Sequence, residues 1–461
     1  MFSNTQKVHF IGIGGAGMSG LAHVLNKQGK TVSGSDAKGS AVTERLQNEG
    51  IKVFIGHNQG QVADSEVVVL STAISKDNVE YQEAIAADKK IVHRSDIMAY
   101  IVNSKQGIAV AGAHGKTTTT SMIACIAADS DLDPTYLVGG DVPLLAGNAH
   151  LGQGKFAITE ADESDGSFLK LNPYIAVVTN IENDHMDYYK TKSNIDKAFA
   201  QFLDNVRPGG IAIVCFDNQD AKNIAQASRT DVVSYAIDSQ ADFQAKNIVY
   251  HANGTTYELF NLGNKIADIT LCVPGKHNVL NSLAAIIASM NMGITLKHIQ
   301  ASLAKFTGAK RRFEVKYKSE GITVVDDYAH HPTEITTTLK AALQTQPERL
   351  ICVFQPHRYT RTQLLFQEFT EAFVDADILI MADIYAASEP PLDNVNSFNL
   401  VQAIKDKYNT EVFYIANLQD IPSKLQEICK TGDLIMTMGA GNVYTVAEKL
   451  AEILGGQSCE R

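Results

Sequence analysis

The chain lacks an excess of positive charge: 40 Lys and Arg stand against 51 Asp and Glu, a formal net charge of -11 over 461 residues. A broad basic face for nucleic acid is therefore not expected, and a polyanionic ligand must be met by loops and single cations. Long apolar runs are missing as well. No stretch reaches the ~18 residues a membrane helix needs, and Met1 to Lys7 lacks the charged and apolar regions of an export signal. A cytoplasmic location with no membrane partner is expected. The cysteines Cys125, Cys215, Cys272, Cys352, Cys429 and Cys459 form no Cys-x-x-Cys pair. Disulfides and zinc sites thus have little support, and packing or exposure is the expected role.

What is present is a repeating alternation of short apolar strands and helical patterns, in a chain long enough for about three domains at ~150 residues each. Val8 to Ile11, Thr31 to Asp36 and Val67 to Thr72 read as strands of a first set. A second set starts at Ile108 and includes Phe156 to Glu160, Ile175 to Asn180 and Ile211 to Val214. The more polar stretch from Asp231 to Cys272 predicts extra antiparallel strands before a helix at Asn278 to Met292. A third set contains Ile322 to Val325, Leu350 to Phe354, Ile378 to Met381 and Leu434 to Thr437, and Gly455 to Arg461 reads as a frayed tail. The boundaries are drawn at 1–106, 107–312 and 313–461. The class is α/β, with doubly wound parallel sheets whose ligands gather at strand ends.

The segment Gly112-Ala113-His114-Gly115-Lys116-Thr117-Thr118, after the apolar run Ile108 to Ala111, carries the strongest chemical signal. Glycines let backbone N–H groups approach phosphate oxygens, the following helix presents its positive end, and Lys116 adds a point charge. The Thr117 hydroxyl suits magnesium. A phosphate loop of the usual length has a glycine five residues before Gly115, where this chain has Val110, so the loop is short. Carboxylates at neighbouring strand ends would hold magnesium against the phosphates. Glu160, in the run Glu160 to Asp165, and His185, in Asn180 to Asp187, are the favoured ligands beside Thr117. Asp184 and Asp187 read equally well as solvated loop charge or a helix cap.

Gly12-x-Gly14-x-x-Gly17, with Asp36 at the end of the next strand, has the form of a dinucleotide fingerprint. An NAD-dependent dehydrogenase would satisfy it, and so would a protein holding any other nucleoside diphosphate. Asn278 and Asn281, at a helix start, can cap or read a base edge, while Arg residues at 311 and 312 can reach phosphate.

Together these segments resemble the Mur ligases of peptidoglycan synthesis. The words that carry the likeness are Gly112-x-His114-Gly115-Lys116-Thr117-Thr118, Glu160 to Asp165, Asn180-Ile181-Glu182-x-Asp184-His185-Met186-Asp187 and Gly275-x-His277-Asn278-x-x-Asn281. The resemblance implies three domains: an N-terminal Rossmann-like domain for a UDP substrate, a central P-loop-like domain for ATP and a C-terminal Rossmann-like domain for the amino acid. It implies an ATP- and Mg2+-dependent ligase joining L-alanine to the carboxylate of UDP-N-acetylmuramate through an acyl phosphate, as a monomer or weak homodimer. Lys116, Glu160 and His185 would be catalytic, with Thr117, Glu160 and His185 holding metal. Asn278, Asn281, Arg312 and Asp327 would join the loop around ATP, and Gly14, Gly15, Gly17, Asp36, Ser71 and Thr72 would hold the UDP moiety. His357, Arg358 and Arg361 would fix the alanine carboxylate, a surface basic patch being the alternative. Family members that recycle a murein tripeptide share the phosphate loop; the words Gly12 to Met18 and Pro356 to Thr362 side with the alanine-adding members.

Overall fold

The computed structural model describes all residues except Met1, Ser3, Ala146, Glu320, Asn409, Thr410 and Ser458 to Arg461, together with the side chains of Asp187, Gly456 and Gln457. Cys459 and the last four positions of the expected tail therefore lie outside the described residues. The remainder of that expectation is corrected: the last helix, Tyr444–Gln457, runs through Gly455, because Val446, Ala447 and Leu450 anchor it against a buried core.

Short apolar runs flanked by glycine and polar turns become three sheets. The first has the order Lys52–Ile55, Thr31–Asp36, Lys7–Ile11, Val67–Leu70, Lys90–His93, all parallel. Its central strand is buried from Val8 to Ile11, since helices such as Ala16–Lys27 cover the sheet. The register places Ile11 beside Ser35 and Phe10 beside Val69, so Gly12, Asp36 and Ser71 all emerge at the same sheet end.

The middle sheet runs Asn264–Leu271, Gly254–Asn261, Phe243–His251, Val232–Ala236, Ile211–Cys215, Ile175–Val178, Gln106–Ala111, Phe156–Glu160, Thr135–Val142, Gly147–His150. Gln106–Ala111 lies between Ile175–Val178 and Phe156–Glu160, parallel to both. That position delivers the phosphate loop and both acidic runs to neighbouring strand ends. One expectation is corrected here: Val232–Ala236 and the start of Phe243–His251 pair in parallel, not antiparallel. The crossover helix Gln219–Ala227 brings the chain back in the same direction, and its polar sequence hid that function.

The third sheet has the order Glu314–Lys318, Ile322–Asp327, Asp433–Met438, Arg349–Phe354, Ile378–Met381, Glu411–Tyr414, with Glu314–Lys318 its antiparallel edge. By contacts the chain divides into two compact units, residues 1–246, 259–267 and 280–303, and residues 247–258, 268–279 and 304–461. No helix among the described residues is long and apolar enough to cross a membrane.

Candidate active site

The phosphate loop is shaped by contacts that exclude larger residues. Gly112 has φ +138°, and a Cβ there would meet the Thr179 hydroxyl at 2.1 Å; Gly115 has φ +83°, with Asn281 Oδ1 2.6 Å from the same hypothetical atom. Asn180 clamps the loop: its carbonyl accepts from the Ala113 N–H at 3.2 Å, and its side chain accepts from the His114 N–H at 2.8 Å and donates to the His114 carbonyl at 3.0 Å. Thr179 Oγ1 donates to the same carbonyl at 2.6 Å. The amides of Ala113 and His114 are thus committed to Asn180. The anion-binding end falls to the first turn of Lys116–Ala128, whose amides have no intrahelical acceptor.

Lys116 curls back over its own loop, donating to the carbonyls of Gly112 and Ala113 and to Glu163 Oε1 at 2.8 Å. Burial opposes its charge, but Glu163, Asp162 and Glu160 outweigh burial and hold the ammonium above the ordinary lysine range. Thr117 Oγ1 donates to Glu160 Oε2 at 3.1 Å, and Glu160 Oε1 accepts from the Gly139 N–H at 2.6 Å. His185 sits in the left-handed region at φ +55°, with Nε2 3.6 Å from Glu163 Oε1 and 3.6 Å from Asp184 Oδ2. Burial lowers the imidazole pKa, yet Glu163 and Asp184 more than reverse that and raise it. His185, not Asp184, occupies the cap of the helix Met186–Tyr189; Asp184 Oδ1 instead accepts from the His185 N–H at 2.7 Å. The Asp187 side chain lies outside the described residues.

The donors therefore form two adjacent sets, Thr117 with Glu160 and Glu163 with His185. Hard carboxylate and hydroxyl oxygens suit magnesium, and a buried Glu163 Oε2 with no hydrogen-bond partner supports an electropositive guest. The residues present fit a divalent cation.

In the first sheet, the amides of Gly12 and Ile13 both donate to the Ser35 carbonyl, at 2.8 and 2.9 Å. The Gly14 N–H donates to Asp36 Oδ2 at 2.9 Å, and a Cβ on Gly14 would lie at that same distance from Asp36. Asp36 thus shapes the glycine loop. A Cβ on Gly17 would be 3.2 Å from Arg94, whose guanidinium pairs with Asp162 at 2.7 Å. Gly15 precedes the helix Ala16–Lys27, and Ser71 and Thr72 follow the strand Val67–Leu70.

Asn281 is buried and its Oδ1 accepts from Thr119 Oγ1 at 3.2 Å. In the other compact unit, buried Asn278 donates to the Pro274 carbonyl at 2.7 Å. Asp327 accepts from the amides of Phe313 and Ala329 at 2.7 and 2.8 Å. Burial raises its pKa to about 6 against the pull of Arg312, whose guanidinium lies over the Tyr328 ring at 5.2 Å. Arg311 pairs with Asp326 at 3.0 Å and donates to the carbonyls of Gly439 and Gly441, an internal brace. His357 Nδ1 is 3.2 Å from Arg361, and its ring stacks on Tyr385 at 5.6 Å. Arg358, between them, has φ +72° and ψ +139°, a strained conformation of the sort that functional loops retain.

With this geometry in hand, three family models match the chain: "Mur ligase family, catalytic domain" over residues 7–106, "Mur ligase middle domain" over 110–289 and "Mur ligase, glutamate ligase domain" over 311–441. The UDP-N-acetylmuramate--L-alanine ligase of Desulforamulus reducens is 48% identical over 453 residues, 97% of this chain and 98% of that protein. The chain belongs to the Mur ligase family. The enzyme of the same name from Geotalea uraniireducens is 46% identical, covering 99% of this chain and 100% of its own. Among solved structures, the UDP-N-acetylmuramate-alanine ligase MurC of Thermotoga maritima superposes with a TM-score of 0.85 at 26% identity, over 98% of this chain and 99% of that one. A murein peptide ligase from Psychrobacter arcticus gives 0.71 at 26% identity, with 98% and 99% covered.

Several residues that shape the site escaped the sequence reading. Glu163 lies within the acidic run Glu160 to Asp165, where nothing in the sequence separates it from its neighbours. Gly139 and Arg94 have no motif around them, Thr179 reads only as the end of a strand, and Asn180 only as part of a motif.

Proposed function

We propose that this chain is an ATP-dependent ligase that adds L-alanine to the carboxylate of UDP-N-acetylmuramate, a cytoplasmic step in building peptidoglycan precursors. The observation that carries this reading is the juxtaposition of Lys116, Thr117, Glu160 and His185 at adjoining strand ends, in a chain 48% identical over 97% of its length to an alanine-adding relative. Residues 1–106 would hold the UDP moiety, with the Gly14 to Gly17 loop on the diphosphate and Ser71 and Thr72 beside it. Residues 107–312 would bind ATP, and 313–461 would bring alanine. The dinucleotide-like fingerprint then serves a sugar nucleotide in place of NAD.

The helix beginning at Lys116 receives the ATP phosphates at its positive end, and Lys116 neutralises charge as a carboxylate oxygen of the sugar nucleotide attacks the γ-phosphorus. The bond to the β,γ-bridging oxygen breaks, ADP leaves and an acyl phosphate remains. The neutral alanine amine then attacks the acyl carbon, the C–O bond to phosphate breaks, and the proton lost from nitrogen is taken up by the departing phosphate. Thr117 and Glu160 would hold one Mg2+ and His185 a second, whose charge screens the phosphate oxygens from the incoming carboxylate. Asn278, Asn281, Arg312 and Asp327 would surround the nucleotide. Arg358 and Arg361, beside His357, would fork onto the alanine carboxylate.

The test is phosphate release from ATP with UDP-N-acetylmuramate and, in turn, alanine, glycine, serine and the murein tripeptide. Alanine should turn over fastest; faster turnover with the tripeptide would overturn the assignment.

A further inference from the structure

Glu163 stands at the meeting point of two groups that the proposed reaction uses. Its Oε1 accepts from Lys116 at 2.8 Å and lies 3.6 Å from His185 Nε2, while its Oε2 is buried without a partner. The main chain that carries this carboxylate is anchored. The Glu163 carbonyl accepts from the Tyr189 hydroxyl at 2.5 Å and from the Gly166 N–H at 3.1 Å, and its side chain is only 5% exposed. Lys116, 18% exposed, is held facing this carboxylate and the carbonyls of its own loop.

We propose that Glu163 is a positioning residue that latches Lys116, so that the γ-phosphate of ATP must take the lysine from it by exchange of anions. The proposal rests on reading the loop as an ATP site. A buried ion pair loses little when one anion replaces another, whereas a buried ammonium with no anion is costly. Glu163 therefore sets the affinity for nucleotides that reach Lys116 and leaves shorter ones untouched. The released carboxylate then faces His185 alone, which ties phosphate arrival to the second cation position. Only a ligand with a terminal phosphate at the lysine meets the latch.

Calorimetric titration with a non-hydrolysable ATP analogue and with AMP, each in EDTA so that loss of a cation donor at Glu163 does not enter, tests this on wild type, Glu163→Gln and Glu163→Asp. Glu163→Gln should bind the analogue roughly tenfold tighter and AMP within about twofold of wild type, because the unpaired lysine seeks an anion. Glu163→Asp, which retains the charge but shortens the reach, should fall between the two, and it carries the test if the glutamine variant does not fold. Unchanged or weaker analogue binding in the folded variants would overturn the latch. Failure of the wild type to bind the analogue at all would instead remove the ATP site on which the latch depends.

Discussion

Thr117 Oγ1 donates to Glu160 Oε2 at 3.1 Å, joining the first turn of one helix to the last residue of the neighbouring strand. The bond holds a hydroxyl and a carboxylate at one point, and the Gly139 N–H fixes the other carboxylate oxygen at 2.6 Å. Glu160→Gln retains the shape and removes the charge. The Mg2+ concentration for half-maximal phosphate release should rise roughly tenfold or more, as for loss of a group that holds or orients a metal ligand. A Mg2+ titration of the purified variant checks this, and an unmoved midpoint would exclude Glu160 from the cation site.

The first sheet contains a buried chain of polar groups. Glu80 accepts from His9 at 2.8 Å and from His57 at 2.7 Å, with Ser33 at 2.9 Å from His9 and Ser35 at 3.0 Å from His57. Burial would raise the Glu80 pKa, but His9, Ser35 and His57 overcome it and the pKa is lowered. A depressed carboxyl contributes stability that is present above its ordinary value and lost as pH falls through the folded one. Glu80→Ala should destabilise the fold by about 3 kcal/mol, since it leaves the buried His9 imidazole and the partly buried His57 imidazole without their acceptor. Urea unfolding at neutral pH measures this, and a loss below about 1 kcal/mol would contradict it.

Two histidines of the other compact unit give it an acid limit. Burial, helped by Arg312, lowers the His277 pKa to about 4, and burial likewise holds His330 at about 4, against Glu334 and with Arg361. Each stays neutral in the fold while an unfolded histidine titrates near its ordinary value of ~6.5. Their stabilisation is therefore complete above about 6.5 and lost as pH falls toward 4. Asp327, raised to about 6, acts in the opposite sense and offsets part of the effect. Thermal melting between pH 7.5 and 4.5 should show a falling midpoint, and His277→Asn should flatten that fall. An equally steep fall in the variant would rule out His277 as a source.

Much of this was legible in the sequence, and the reasons differ by element. Gly112 to Thr118 could be read because a strand emptying into Gly-Lys-Thr has few uses other than phosphate. Val67 to Leu70 and Ile378 to Met381 stood out because strands covered on both faces are continuously apolar. Glu163 was not legible as distinct from Asp162 or Asp165, since only the fold decides which carboxylate turns toward Lys116. Asn180, quoted in a motif, gave no sign that it would clamp the loop by accepting from two amides. The direction of Val232–Ala236 is not legible because the crossover helix before it is short and polar, burying only Ala221 and Ala225.

The central claim is that ATP activates a carboxylate by phosphorylating it, and the fate of oxygen tests this most directly. UDP-N-acetylmuramate labelled with 18O in its carboxylate is turned over with ATP and alanine, and the released phosphate is examined by mass spectrometry. Phosphate carrying one labelled oxygen per turnover is the predicted result, because the oxygen that attacks the γ-phosphorus leaves with it. Unlabelled phosphate formed alongside amide product would contradict the account.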